Sequence, residues 1–230
     1  MRKKVTILLT WILLFCFTVQ ATYASQPNET IFRIDTNKKL VALTFDDGPH
    51  HTFTPLLLEA LYEEGAQATF FLLGKQVQAH PQIAARIHRE GHEIGNHGYS
   101  HRVMRHLSWK EIHKEIRQTE RLIAHHVGIK THLFRPPYGE MVPRIVDVSR
   151  YTGYRLVRWS IDPKDWDQRR NGQVIAEHVG AVVKPGDIVL FHDGGANQAE
   201  TIKAVRTIVR NLKKRGYKFV TVSELLKQSG

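Results

Sequence analysis

Five short stretches hold the residues able to do chemistry: "TFDDGP" (44–49), "HGYSH" (97–101), "RPPYG" (135–139), "DPKDW" (162–166) and "LFHD" (190–193). Asp46 and Asp47 stand side by side at the end of an apolar run. Neighbouring acids repel, and burying either without a partner is expensive, so each needs its own compensation. His97 and His101 are four residues apart, a spacing that on a helical turn puts both imidazoles on one face, suited to a single metal ion. Two histidines with one carboxylate from another strand end leave positions open for water, as a catalytic zinc site requires. Arg135 is permanently charged and rides on a stiff Pro-Pro segment. Taken singly, each stretch also has a structural reading. "RPPYG" is a good surface turn, "DPKDW" a helix start, and His192 a satisfied core histidine. Of the chain's 14 histidines, His88, His113, His125, His126 and His178 fall in helical stretches, where solvated or capping roles suffice.

The elements that must position these residues follow from periodicity. From Leu40 onward, apolar runs of strand length appear at "VALTF", "ATFFLLG", "HEIGNH", "HLFRPP", "YRLVRWSID", "DIVLFHD" and "KFVTV". Stretches of helical spacing alternate with them, and "SELLKQ" forms a last short helix. "SWKE" predicts a capping box between Ser108 and Glu111. Gly65, Gly91, Gly128, Gly153 and Gly216 each follow a helical stretch, where a left-handed residue is wanted. Seven strands alternating with helices imply a parallel sheet buried on both faces, either a distorted barrel or an open doubly wound sheet. In both, sites form beyond the carboxyl ends of the strands. Asp46, Asp47, Asn96, His97, His101, Arg135, Tyr138, Asp162, Asp165, Trp166, His192 and Asp193 all fall at such ends. Their recurrence on one rim outweighs the structural reading of any one of them.

The chain has 230 residues, room for one sizeable domain, and a formal net charge of +11. "MRKK" followed by "VTILLTWILLFCFTV" and the small residues of "QATYAS" reads as a secretory signal peptide over residues 1–24, with an uncleaved anchor as the alternative. Residues 25–39 read as a polar arm or linker, and 40–230 as the domain. The single cysteine, Cys16, lies in the leader, so the remainder has neither disulfides nor thiolate ligands, and any metal must be held by His, Asp or Glu. Loss of the leader removes Arg2, Lys3 and Lys4 and no acid, leaving a charge of +8. An exported chain this basic suits an anionic wall or membrane surface. Nucleic acid is not indicated, because no basic stripe is interleaved with exposed aromatics.

In order and spacing, the five stretches resemble the five motifs of the polysaccharide deacetylases, the NodB-homology group or carbohydrate esterase family four. The likeness runs from Leu40 to Leu226. It implies a single α/β domain folded as a distorted (β/α)7 barrel and a divalent metal, zinc first with cobalt or nickel as substitutes. The implied reaction removes acetyl groups from N-acetylglucosamine residues or O-acetylated sugars. Residue by residue, the resemblance makes Asp47, His97 and His101 the metal ligands and Asp46 the general base, with Arg135 as its partner. It makes Tyr138 the source of a backbone N–H for the oxyanion, and Asp165 the residue orienting His192, the general acid. Trp166, Leu190, Pro137 and Tyr138 would form the substrate-binding wall. Gly98 departs from the pattern, standing where Ser or Thr is common, so a hydroxyl bracing the second motif is missing. The expected function is a secreted, wall-associated, monomeric N-deacetylase of a cell-envelope glycan, with peptidoglycan favoured. Chitooligosaccharide or O-acetyl xylan are alternative substrates. A non-catalytic glycan-binding relative and a hydrolase of a non-carbohydrate amide are rival readings.

Overall fold

The alternation of apolar runs and helical stretches becomes a curled parallel sheet wrapped in helices. A computed structural model describes residues 30–195 and 198–228. The leader at 1–24 lies outside the described residues, and among those described no helix is long and apolar enough to cross a membrane. The strands are β1 (Leu40–Asp46), β2 (Ala68–Leu72), β3 (Glu93–Asn96), β4 (Leu133–Phe134), β5 (Arg155–Leu156), β6 (Ile188–His192) and β7 (Lys218–Phe219). The helices are α1 (Phe53–Glu63), α2 (Gly74–Ala79), α3 (Pro81–Arg89), α4 (Trp109–Val127), α5 (Pro143–Thr152), α6 (Gly172–Val182), α7 (Gln198–Lys214) and α8 (Val222–Leu226).

The sheet runs β5-β4-β3-β2-β1-β6, with β7 also paired to β1, and every ladder is parallel. Beyond β5 the chain meets the opposite edge through a single parallel bridge, Ile161 to Val189. The result is a distorted, incompletely laddered barrel, as expected, and not an open doubly wound sheet. All seven predicted strands form, but β4, β5 and β7 keep only two residues each. Pro136 and Pro137 lack backbone donors and end β4 at once. After β5, Val157 pairs with Ile31 and the chain then crosses toward β6, so one long apolar run splits between two neighbours.

Period-two alternation along β1 sorts its side chains. Val41, Leu43 and Phe45 are fully buried in the layer between sheet and helices, where Phe45 stacks on Phe70 (5.1 Å) and Phe191 (5.6 Å). Each buried phenylalanine of this layer contributes about 1.5–3 kcal/mol by leaving water. Ala42 belongs instead to a separate cluster with Ile31, Ile34, Phe71, Leu133, Val157, Ile188, Val222 and Leu225. Ile31 and Ile34 come from the segment read as an arm, so these two side chains anchor an otherwise mostly exposed segment to the core. The capping box at Ser108 forms with both of its hydrogen bonds, and Gly128 ends α4 in the left-handed region at φ 80°. α2, absent from the sequence-based expectation, is a six-residue turn with no apolar periodicity long enough to announce it.

Candidate active site

A cavity of about 470 Å³ opens at the carboxyl ends of the strands, lined among others by Asp46, Asp47, His97, His101, Tyr138 and His192. Asp46 is the last residue of β1 and projects on the same side as Thr44. Asp47 has left the strand, with φ 77°, a conformation unusual for a residue other than glycine. Strand alternation alone would send the two carboxylates to opposite sides. The left-handed turn brings them together instead: Asp46 Oδ2 lies 3.7 Å and Asp47 Oδ1 3.5 Å from Nε2 of His97. His101 and Tyr138, both lining the cavity, also have positive φ, each 61°. Backbone strain thus concentrates where side chains must be aimed.

Asp47, His97 and His101 can each offer one ligand atom, and these atoms lie within 4.8 Å of one another. Their hydrogen bonding suits a cation. His97 Nδ1 is 2.7 Å from the carbonyl oxygen of Arg135, which can only accept, so Nδ1 carries the proton and Nε2 presents its lone pair. That lone pair faces Asp47 Oδ1, which also lies 3.2 Å from His101 Nε2 and is buried without a hydrogen-bond donor. The local field also calls for positive charge. Burial opposes a charged His97, yet Asp46 and Asp47 raise its pKa. Burial likewise opposes ionisation of Asp47, but His97, His101 and His192 hold its pKa at about 2. Burial pushes Asp193 up to about 7 against the hydrogen bond from Thr54, with Asp47 and Asp46 adding to the rise. The donor set and its charge fit a divalent ion.

The second histidine reaches this position through a braced loop. Gly98 N–H donates to Asn96 Oδ1 at 2.8 Å, and the buried Glu115 of α4 accepts from Tyr99 N, Ser100 N and Ser100 Oγ at 2.7–2.8 Å. Gly98 has φ 80°, a conformation that strains any residue with a Cβ, which disfavours the Ser or Thr of the pattern it resembles. Asn96 and Glu115 brace the loop without that hydroxyl.

Asp46 accepts from Arg135 Nη1 at 2.7 Å. Arg135 is completely buried and also donates to Thr44 Oγ1 (2.8 Å) and the carbonyl of Arg158 (2.9 Å), with its guanidinium 4.1 Å from the centre of the Phe71 ring. On the far wall, His192 Nδ1–H donates to Asp165 Oδ1 at 2.8 Å, while Asp165 Oδ2 accepts from His192 N and Thr201 Oγ1. Burial works against a charged His192, but Asp165, with help from Asp46 and Asp47, pushes its pKa up to about 9. The pairing with Asp165 thus favours the protonated imidazole.

Tyr138 is 61% exposed, its ring lies 4.7 Å from that of His101, and no hydrogen bond among the described residues takes up its backbone N–H. Trp166 (53% exposed) and Leu190 line the cavity; Pro137 is buried behind the wall and does not. Thr44, Thr201 and Glu115 escaped the sequence reading, and so did Trp159 and Gln198 in the lining. The first three carry no local signal, since each works through a partner distant in sequence.

The polysaccharide deacetylase family model matches residues 33–157. A peptidoglycan-N-acetylglucosamine deacetylase of Bacillus cereus is 40% identical over 198 residues, covering 85% of this chain and 92% of the relative. The crystal structure of the Bc1960 peptidoglycan N-acetylglucosamine deacetylase superposes with a TM-score of 0.83 at 35% identity, over 87% of this chain and 94% of the other. A Bacillus anthracis protein described as a pseudoenzyme of the same family superposes with a TM-score of 0.81 at 32% identity, over 87% of this chain and 70% of the other.

Proposed function

The chain belongs to the polysaccharide deacetylase family and is a carbohydrate deacetylase, and from that premise we propose that it hydrolyses acetamide groups of N-acetylglucosamine residues in peptidoglycan, outside the cytoplasm, with zinc as its metal. The observation that carries this reading is the convergence of three elements on one cavity: the Asp47–His97–His101 donor set, the Asp46–Arg135 pair and the Asp165–His192 pair. Asp47, His97 and His101 would hold a divalent ion, which when bound would supply Lewis acidity toward an acetamide carbonyl and water.

The chain's own groups do the rest. Asp46 accepts the proton of the attacking water at its carboxylate, with Arg135 neutralising its charge from behind. The backbone N–H of Tyr138 donates to the oxygen that becomes negative as the carbonyl is attacked. Amine leaves poorly until protonated, and His192, aimed by Asp165 and favoured in its protonated form, gives its proton to that nitrogen. Trp166 and Leu190 supply an apolar wall for the acetyl methyl group.

Overall likeness to a pseudoenzyme shows that fold alone does not secure activity. Here the proposed base, ligands and acid are all present and mutually hydrogen-bonded or charge-paired, which supports catalysis over passive glycan binding. The basic surface supports a partner of opposite charge: Lys110, Lys114 and Arg121 lie exposed along one face of α4, suited to an anionic wall surface. The test is acetate release by zinc-loaded protein from peptidoglycan, chitin oligomers and acetylxylan. Release from peptidoglycan is expected to dominate; no release from any of the three would overturn the enzymatic reading.

A further inference from the structure

A second, smaller cavity of about 220 Å³ shares Asp47, His101, Gly194 and Gly195 with the first and continues it past the donor set. Its remaining walls are His50, Leu73, Lys75 and Gln76. Among the described residues lining either cavity, Lys75 is the single lysine or arginine. Its side chain is exposed, and no acid among the described residues pairs with it. Its backbone is fixed relative to the donor set, because Lys75 N donates to Tyr99 O (3.0 Å) and Gly74 N to Gly98 O (2.9 Å), both in the loop that carries His97 and His101. Beside it, His50 Nδ1 accepts from the backbone N–H of Thr52 (3.1 Å) and Phe53 (3.3 Å), so in the neutral ring Nε2–H is the donor.

A cavity end with one unpaired ammonium and an adjacent imidazole donor has the chemistry of a carboxylate subsite. We propose that Lys75, with His50, binds a carboxylate carried by the sugar next to the one being deacetylated, so that this site selects an anionic glycan over a neutral one. The inference rests on the deacetylase reading above and narrows its substrate class. In peptidoglycan such a carboxylate has two sources: the lactyl group of muramic acid, or the peptide attached to that group. Chitin oligomers offer neither. Asp47 does not compete for the ammonium, because it is committed to the donor set.

The test compares wild type, Lys75→Met and Lys75→Arg, each zinc-loaded, on three substrates of matched length. These are peptide-free peptidoglycan oligomers with free lactyl carboxylates, peptide-bearing oligomers, and chitin oligomers. Lys75→Met is expected to lower kcat/KM on a carboxylate-bearing substrate about tenfold relative to chitin, the size of one charge-assisted hydrogen bond. Lys75→Arg should retain most of the preference, and added salt should erode it in wild type. Loss on peptide-free oligomers assigns the lactyl carboxylate; loss confined to peptide-bearing ones assigns the peptide. An equal loss on charged and neutral substrates, or no loss on either, would overturn the subsite. Binding of the same oligomers to wild type and Lys75→Met by calorimetry reads the subsite independently of turnover. If no substrate releases acetate, the deacetylase reading fails, while a charge-dependent difference in binding would still support the subsite and equal binding would still refute it.

Discussion

Asp46 and Asp47 are one residue apart and both approach His97, yet their other partners differ. Asp46 faces the buried Arg135, and Asp47 faces two imidazole nitrogens. The difference comes from one torsion, since a left-handed Asp47 turns its carboxylate back over the strand end. Replacing Arg135 by Met would leave Asp46 buried without its counter-charge, a change that costs about 3–5 kcal/mol. Thermal denaturation should show a fall of roughly 10 °C for a domain of this size, and a melting temperature within a degree or so of wild type would refute the pairing. The pH profile tests the other pair. Because Asp165 raises the pKa of His192, the rate should fall on the alkaline side as His192 loses its proton. In Asp165→Asn burial acts unopposed by that carboxylate, so the alkaline limb should move down by at least about one pH unit. An unmoved limb would show that His192 is not the titrating acid.

At the scale of elements, the site depends on α4 as much as on the strands. Its capping box fixes the helix start, and Glu115, two turns in, reaches across to hold Tyr99 and Ser100. Glu115→Ala should weaken zinc binding about 10- to 100-fold, as removal of groups that orient metal ligands does elsewhere. Competition with a zinc-sensitive dye measures this, and unchanged affinity would mean that the loop is held by Asn96 alone. Much of the frame was legible in the sequence for local reasons. The capping box and the helix-ending glycines are short-range chemistry, and the seven apolar runs mark seven strands. Strand length was not legible, because β4 and β5 are cut by prolines and by a change of partner. Nor were Glu115, Thr44 and Thr201, which act on groups 15, 91 and 36 residues away and resemble ordinary polar residues in their own elements. The turn at Asp47 overrode the alternation that a strand predicts.

Over the whole molecule, the barrel brings to one rim groups that the sequence scatters between residues 46 and 192, and the basic surface suits an anionic polymer. If this rim performs metal-dependent deacetylation with Asp46 as base, loss of either the metal or that carboxylate must stop it. The most direct measurement is acetate release from peptidoglycan by zinc-loaded wild type and Asp46→Asn, with zinc content determined for both. Both should bind the metal, wild type should release acetate, chelation should abolish and zinc restore release, and Asp46→Asn should be slower by a factor of at least about 100. Near-normal release by zinc-loaded Asp46→Asn, or release by wild type that survives complete chelation, would contradict it.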